Sequence, residues 1–291
     1  MPVLMPCEPG NPRVVDPAWA LESQALQALG ILVVLLDHDA LQRGEAGKVF
    51  RPQALAAHVG SKAAWRGWMM SAEAYSLLCD LAEQGGLRML DGDDAYSFCH
   101  HGPRSITTLQ PWMAPTHLVA AHDPVAIERL LRGLGERALV LKDWVKSEAG
   151  LWAEACFIPR ADDIPAARRV IDRFIEIRNH DLVGGLVLRE FRPLRLDSKG
   201  RALEWRSFVV DGKPVLTFGR TPDALPELGP STALLQDVAA RVAARFWTMD
   251  WAVTTDGHPL LLEIGYGGVS GIPEDTDPVP MLRALGTACL V

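Results

Sequence analysis

Residues 246–273 constrain this chain more than any other stretch. Two almost wholly apolar runs, 247–253 and 259–264, flank Asp256-Gly257, a pair that favours the tight turn of a β-hairpin. They are therefore expected to fold back on each other as buried strands, and each carries one acid, Asp250 in the first and Glu263 in the second. Two carboxylates brought together in apolar surroundings raise each other's pKa unless a cation lies between them. Mg2+ held by carboxylates and phosphate oxygens meets that demand. The alternative reading pairs one acid with Arg206 or Arg220 and leaves the other exposed. A glycine-rich stretch, residues 266–271, follows and would let backbone approach a ligand closely.

Upstream, residues 204–220 (EWRSFVVDGKPVLTFGR) read as a second hairpin, turned at Asp211-Gly212. Period-two alternation sets Arg206 among apolar neighbours such as Phe208, and an arginine there needs an anion: Glu190 or Glu204 within the chain, or a bound phosphate or carboxylate. Arg220 ends the returning strand. Residues 188–194 (LREFRPL) form a strand running into Pro193, with Arg189 and Phe191 on one face and Glu190 and Arg192 on the other. Such a hinge can offer backbone N–H and C=O groups to an adenine edge; the plainer reading is an exposed edge strand with an ion-pair ladder. Lys142 closes the apolar run 138–142, where its ammonium meets a phosphate as a point charge or snorkels at a strand end.

The first third alternates strands with helices, the pattern of a sheet flanked by helices. Strands are expected at 3–4, 31–36 and 87–90. A helix starts at Asp16-Pro17 and is stopped by Gly30, and another starts at Ser71 and is stopped by Gly85-Gly86. The Pro- and His-rich stretch 99–117 reads as a loop and a boundary. Beyond it, helices are expected at 123–132, 164–178 and 231–245. Strands are expected at 138–142, 152–158, 186–191, 205–210 and 214–218.

Composition narrows the function classes. With 29 basic and 36 acidic residues in 291, the net charge of −7 and the lack of a basic run argue against a nucleic-acid groove. The longest apolar run, residues 31–36, is far too short to span a bilayer, and the amino-terminal residues do not read as a signal peptide, so a cytoplasmic protein without membrane partners is expected. Five scattered cysteines without a C-x-x-C pair, at 7, 79, 99, 156 and 289, read as buried thiols. No G-x-G-x-x-G follows a strand in the first third, so a dinucleotide site has no support.

A strand lysine, a hinge strand with glutamate, a hairpin arginine, and then Asp and Glu on two strands closed by a D-G turn, in that order, resemble the ATP-grasp fold. The resemblance spans about residues 121–290. It is closest to a clade marked by two arginines and one lysine, whose members also carry blocks like AWRGWMM (64–70) and AYSFCHHGP (95–103). It implies an α/β (α+β) chain: a Rossmann-like pre-ATP-grasp domain at 1–120 and a two-lobed ATP-grasp domain with antiparallel sheets at 121–291. It further implies that Lys142 touches ATP phosphates, and that Glu190 and Phe191, beside Arg189, hold the adenine. Arg206 and Arg220 would bind phosphate or acyl-phosphate oxygens, and Asp250 and Glu263 would hold Mg2+. The implied activity joins a small-molecule or peptide carboxylate to an amine, with ATP and Mg2+ as cofactors.

Many ATP-grasp ligases carry asparagine two residues after the second metal-binding glutamate; here that position is Gly265, so Tyr266, Ser270 or water would complete the site. Arg66, between Trp65 and Trp68, reads either as lining the acceptor site or as stacked between tryptophans, Ser270 as a further substrate contact, and His100 and His101 as substrate contacts or a base. Two rivals stand beside a ligase: a nucleotide-binding partner protein with lost turnover, and a small-molecule kinase.

Overall fold

The computed structural model describes residues 2–288, so Cys289 lies outside the described residues. The chain forms two compact units, one of Met1–His100, Leu203–Trp251 and Glu263–Val291, the other of His101–Ala202 and Ala252–Leu262.

The first unit opens with β1 (Pro2–Glu8), β2 (Asn11–Val15), α1 (Ala20–Ala28), β3 (Leu32–Leu36), α2 (His38–Gln42), α3 (Ala46–Val49), β4 (Lys62–Trp65), α4 (Ala72–Gln84), β5 (Arg88–Met89) and α5 (Asp93–His100). β1 pairs in parallel with β3 on one side and β4 on the other, β4 continues in parallel to β5, and β2 turns back antiparallel on β1. Local signals set the ends. Asp16 accepts from the Ala18 N–H and Ser71 from the Ala74 N–H, each satisfying an early helical donor. Gly30 and Gly86 then take positive φ where the chain turns off the helices.

The second unit continues with α6 (Gly102–Leu109), β6 (Thr116–Val119), α7 (Pro124–Leu134), β7 (Leu139–Lys142), β8 (Phe157–Ile158), α8 (Ile164–Arg178) and β9 (Leu186–Glu190). Its sheet runs β6-β9-β7-β8, antiparallel throughout, over a core that includes Ile127, Leu131, Leu141, Ile171 and Phe174. Two segments of this unit differ from expectation. The loop expected at 99–117 holds α6, because Pro103 sits in the first turn, where its missing N–H costs nothing, and Ser105, Ile106 and Leu109 give the helix a buried side. The strand expected at 152–158 is a π-helical turn, Trp152–Cys156, leaving only β8 extended.

The chain then forms β10 (Glu204–Val210), β11 (Lys213–Gly219), α9 (Thr232–Ala239), β12 (Phe246–Val253), β13 (Pro259–Tyr266) and α10 (Val279–Ala288). The four strands make a sheet of order β11-β10-β12-β13. Asp211 and Gly212 both take positive φ, as the expected hairpin turn requires. α9 ends at Ala239 rather than near 245, and the start of β12 is anchored by Asp91, whose carboxylate accepts the Arg245 and Phe246 N–H groups at 2.7 and 2.8 Å. Val3, Met5, Leu26, Phe208, Phe246 and Leu282 belong to one continuous core in the first unit. No helix among the described residues is long and apolar enough to cross a membrane.

Candidate active site

The sheet of the first unit gathers charge on one face of β10. Glu204 and Arg206 stand two residues apart there, and Arg220 follows β11, its N–H donating to the Glu204 carbonyl at 2.7 Å. Because β12 lies beside β10, Asp250 meets both arginines. Arg206 Nε and Nη2 donate to its two carboxylate oxygens at 2.8 and 2.7 Å, and Arg220 Nη1 donates to Oδ2 at 2.9 Å. Arg220 Nη1 also reaches Glu204 at 3.2 Å, and Arg206 Nη1 the Gly271 carbonyl at 3.3 Å. Asp250 is 3 % exposed; Glu263, on β13, is exposed.

The acids outnumber the bases in this cluster. Burial chiefly pushes the Glu204 carboxyl up, with Asp250 and Glu263 adding to the rise and Arg220 and Arg206 opposing it. For Arg206, burial works to lower the guanidinium, but the bond to Asp250 and the charges of Asp250, Glu263 and Glu204 hold it above its ordinary value.

The glycine-rich loop after β13 is fixed by packing. Gly67 N–H donates to the Gly268 carbonyl at 2.8 Å, and a Cβ on Gly268 would lie 2.5 Å from the Trp65 carbonyl oxygen. Arg66 is fully buried. It grips Glu22 through Nε and Nη2, both at 2.6 Å, and donates from Nη1 to the Gly267 and Ser270 carbonyls at 3.0 and 2.6 Å. It lies over the rings of Trp19, 4.7 Å away, and Phe208, 5.6 Å away, rather than those of its neighbours Trp65 and Trp68. The structure therefore places Arg66 as a clamp on the loop, with no face turned to a substrate. Ser270 is buried as well, its hydroxyl sharing a hydrogen bond with Thr248 at 2.9 Å. Tyr266 is not available as a metal ligand: its hydroxyl is buried against that of Tyr75 at 2.8 Å. His100 stacks on Tyr96, with ring centroids 5.0 Å apart.

In the second unit, Lys142 closes β7 and is followed by the fully buried Asp143. That carboxylate accepts from the N–H groups of Val145, Lys146 and Val183 at 2.7, 2.6 and 3.3 Å, and from Arg178 Nε at 3.1 Å. The segment carrying Lys142 and Lys146 is thereby tied to α8. Glu190 is bridged by Arg137 at 3.0 Å and Arg192 at 3.2 Å. The hinge reading needs one correction. The Glu190 N–H donates to the Pro115 carbonyl and the Phe191 N–H to that of Ala138, both at 2.8 Å, so neither amide is offered to a ligand. Phe191 instead packs edge-on to Phe157, which stacks on the half-exposed Trp152. Arg189 bonds Thr116 and the Leu262 carbonyl within this unit.

A sequence model of the ATP-grasp domain, family 3 of the clade marked by two arginines and one lysine, matches residues 132–285, just over half of the chain. The chain belongs to this ATP-grasp family. Solved structures agree on the fold. The RimK domain protein ATP-grasp from Sphaerobacter thermophilus DSM 20745 is 15% identical with a TM-score of 0.59, the match covering 100% of both chains. The D-cycloserine synthetase DcsG is 16% identical with a TM-score of 0.61, covering 99% of both. The ATP-grasp ligase PsnB, complexed with a phosphomimetic variant of its minimal precursor, Mg and ADP, is 14% identical with a TM-score of 0.59, covering 99% of this chain and 97% of PsnB. No curated protein sequence matches.

Within the ATP-grasp match fall Lys142, Arg206, Arg220, Asp250 and Glu263. For a divalent cation, the donor chemistry is of the right kind: Glu204, Asp250 and Glu263 bring hard carboxylate oxygens and outnumber the two guanidinium groups. Among the described residues, no group of three or more acid, histidine or cysteine side chains forms a ready cage. Magnesium suits such a setting, because it takes one or two carboxylates and completes its shell with water and phosphate oxygens. Glu204 is the member of this cluster that sequence reasoning leaves as a mere partner for Arg206; its place two residues before that arginine, on the same strand face, is the signal that could have found it.

Proposed function

We propose that this chain is an ATP-dependent carboxylate–amine ligase, organised as a pre-ATP-grasp domain at 1–120 and an ATP-grasp domain at 121–291, with ATP and Mg2+ as cofactors. The observation that carries the reading is the convergence of Arg206 and Arg220 on one carboxylate position, a geometry suited to oxyanions. A substrate carboxylate oxygen attacks the γ-phosphorus of ATP, breaking its bond to the bridging oxygen and releasing ADP. An amine then attacks the acyl carbon, phosphate leaves with the bonding pair, and the nitrogen sheds a proton to give an amide.

The residues of this chain serve by charge and position, which is what phosphoryl transfer chiefly requires. Lys142 contacts phosphate oxygens, its strand end held by the Asp143–Arg178 pair. Arg206 and Arg220 neutralise oxygens of the acyl phosphate. The side chain of Glu190 and the aromatic group of Phe191, Phe157 and Trp152 receive the nucleoside, with Arg189 bracing the hinge. Asp250 and Glu263 would hold magnesium, which supplies neutralisation of phosphate charge. His100, stacked on Tyr96, would contact the substrate. The peptides bound to proteins of similar fold point to the partner class, since PsnB was crystallised with precursor peptide PsnA2 and macrocyclase MdnC with precursor peptide MdnA from Microcystis aeruginosa MRC. A peptide or small-molecule acid and amine, met in the cytoplasm, are the proposed partners.

A coupled assay for ADP release over a panel of amino acids, peptides and amines tests the reading. ADP formation that depends on an acid and an amine together, yields their amide by mass spectrometry, and vanishes in Asp250→Asn supports it. A phosphorylated product without amide would make the protein a kinase. The second reading, a nucleotide-binding protein without turnover, is favoured by Gly265 and by the engagement of both Asp250 oxygens. It requires Mg·ATP binding with no ADP formed across the whole panel.

A further inference from the structure

Asp250 takes hydrogen bonds from both Arg206 and Arg220, at 2.7, 2.8 and 2.9 Å. Two guanidinium groups converging on a pair of oxygens form the seat by which proteins hold phosphates and carboxylates. In this protein the seat is filled by the chain's own side chain. Resting on the ligase reading, we propose that Asp250 acts as an internal anion, occupying the arginine pair until it is drawn away, and that an external oxyanion and Asp250 compete for the same guanidinium donors.

Charge and exposure both support the competition. Arg206 and Arg220 cannot accept a second anion at full strength while Asp250 lies against them, because like charges in a partly buried site repel strongly. Asp250 is nearly inaccessible, whereas the Arg220 side chain is 39 % exposed, so an incoming oxyanion reaches the seat from the Arg220 side. Glu204 also takes a bond from Arg220, at 3.2 Å, so the pair already carries a second carboxylate and Asp250 is exchanged readily only when a cation takes it up. A divalent cation on Asp250 and an oxyanion on the arginines therefore tighten each other, by the same factor in each direction. The chemical class of the ligand is a tetrahedral or planar oxyanion, a phosphate or a carboxylate.

Sulfate is a suitable probe, because it is a tetrahedral oxyanion and requires no turnover. Its affinity is measured by isothermal titration in EDTA for the wild type, Asp250→Asn, and Asp250→Asn combined with Arg220→Gln. We expect Asp250→Asn to bind sulfate at least tenfold more tightly than the wild type, and the double variant to lose the gain. In the wild type, millimolar Mg2+ is expected to tighten sulfate binding several-fold over EDTA. Equal or weaker sulfate binding by Asp250→Asn overturns the proposal. If that variant does not fold, an unchanged wild-type affinity with Mg2+ overturns it instead. Since no step involves ATP, this result stands or falls separately from the ADP assay.

Discussion

Arg66 and Glu22, 44 residues apart in sequence, meet fork to fork with both contacts at 2.6 Å, and the same guanidinium holds two carbonyls of the glycine-rich loop. Removing one member of a buried ion pair leaves the other charge uncompensated, at a cost of roughly 3–5 kcal/mol. Arg66→Met is therefore expected to lower the melting temperature by on the order of 10 °C, with Arg66→Lys in between. Thermal denaturation followed by circular dichroism checks this. A change within a degree or two would mean the clamp contributes little.

Asp91 carries a pH dependence. Burial chiefly raises its pKa to about 6, with the Arg245 and Phe246 N–H groups opposing the rise. Its folded value lies above its unfolded one, so the native state binds the proton more tightly. The stability it contributes is fully present below the unfolded value of about 3.8 and is lost as pH rises through about 6. Relative to Asp91→Asn, the wild type should gain on the order of 2–3 kcal/mol between pH 7 and pH 4. Urea unfolding of both proteins at the two pH values measures the difference; a gap independent of pH would contradict the assignment.

Asp143 ties the segment after Lys142 to α8. In Asp143→Ala the Arg178 guanidinium and three amides lose their acceptor. Hydrogen exchange at Val145, Lys146 and Val183 should accelerate at least tenfold, with far smaller changes in the core strand β9. Uniform acceleration across the second unit would indicate global destabilisation instead.

Gly219 immediately precedes Arg220, and a Cβ there would lie 2.0 Å from the Ala224 carbonyl oxygen. Backbone must shift to admit it. Gly219→Ala is expected to cost about 1–3 kcal/mol and to displace Arg220 from Asp250. Urea unfolding reports the first effect. The second appears as altered sulfate affinity in EDTA, and unaltered stability and affinity together would show that the turn tolerates a side chain.

The parts of this fold that are legible in sequence are those with local causes. α8 falls at 164–178 as expected because Asp163 caps it, Pro165 fits its first turn, and its apolar residues repeat at helical spacing. β12 reads as a buried strand because its residues are almost all apolar, and all eight are buried. The β10–β11 turn is written in Asp211-Gly212. What escapes depends on neighbours distant in the chain. Strand order decides that Asp250 faces Arg206 and Arg220 while Glu263 is exposed, the alternative that the sequence leaves open beside acid, cation and acid, because the spacing of β12 and β13 alone does not choose between the two. The Arg66–Glu22 pair and the sheet bonds of the Phe191 N–H likewise join separated segments. α10 is absent from the sequence expectations although Asp277-Pro278 repeats the start signal of Asp16-Pro17, and Asp277 Oδ1 accepts from the Val279 N–H at 3.0 Å.

Isothermal titration of Mg·ATP into the wild type and Lys142→Ala tests whether Lys142 serves a nucleotide site. Micromolar to submillimolar binding is expected that requires Mg2+ and weakens at least tenfold in Lys142→Ala, with the fold unchanged by circular dichroism. No binding to the wild type at millimolar Mg·ATP, or equal binding by both proteins, would contradict it.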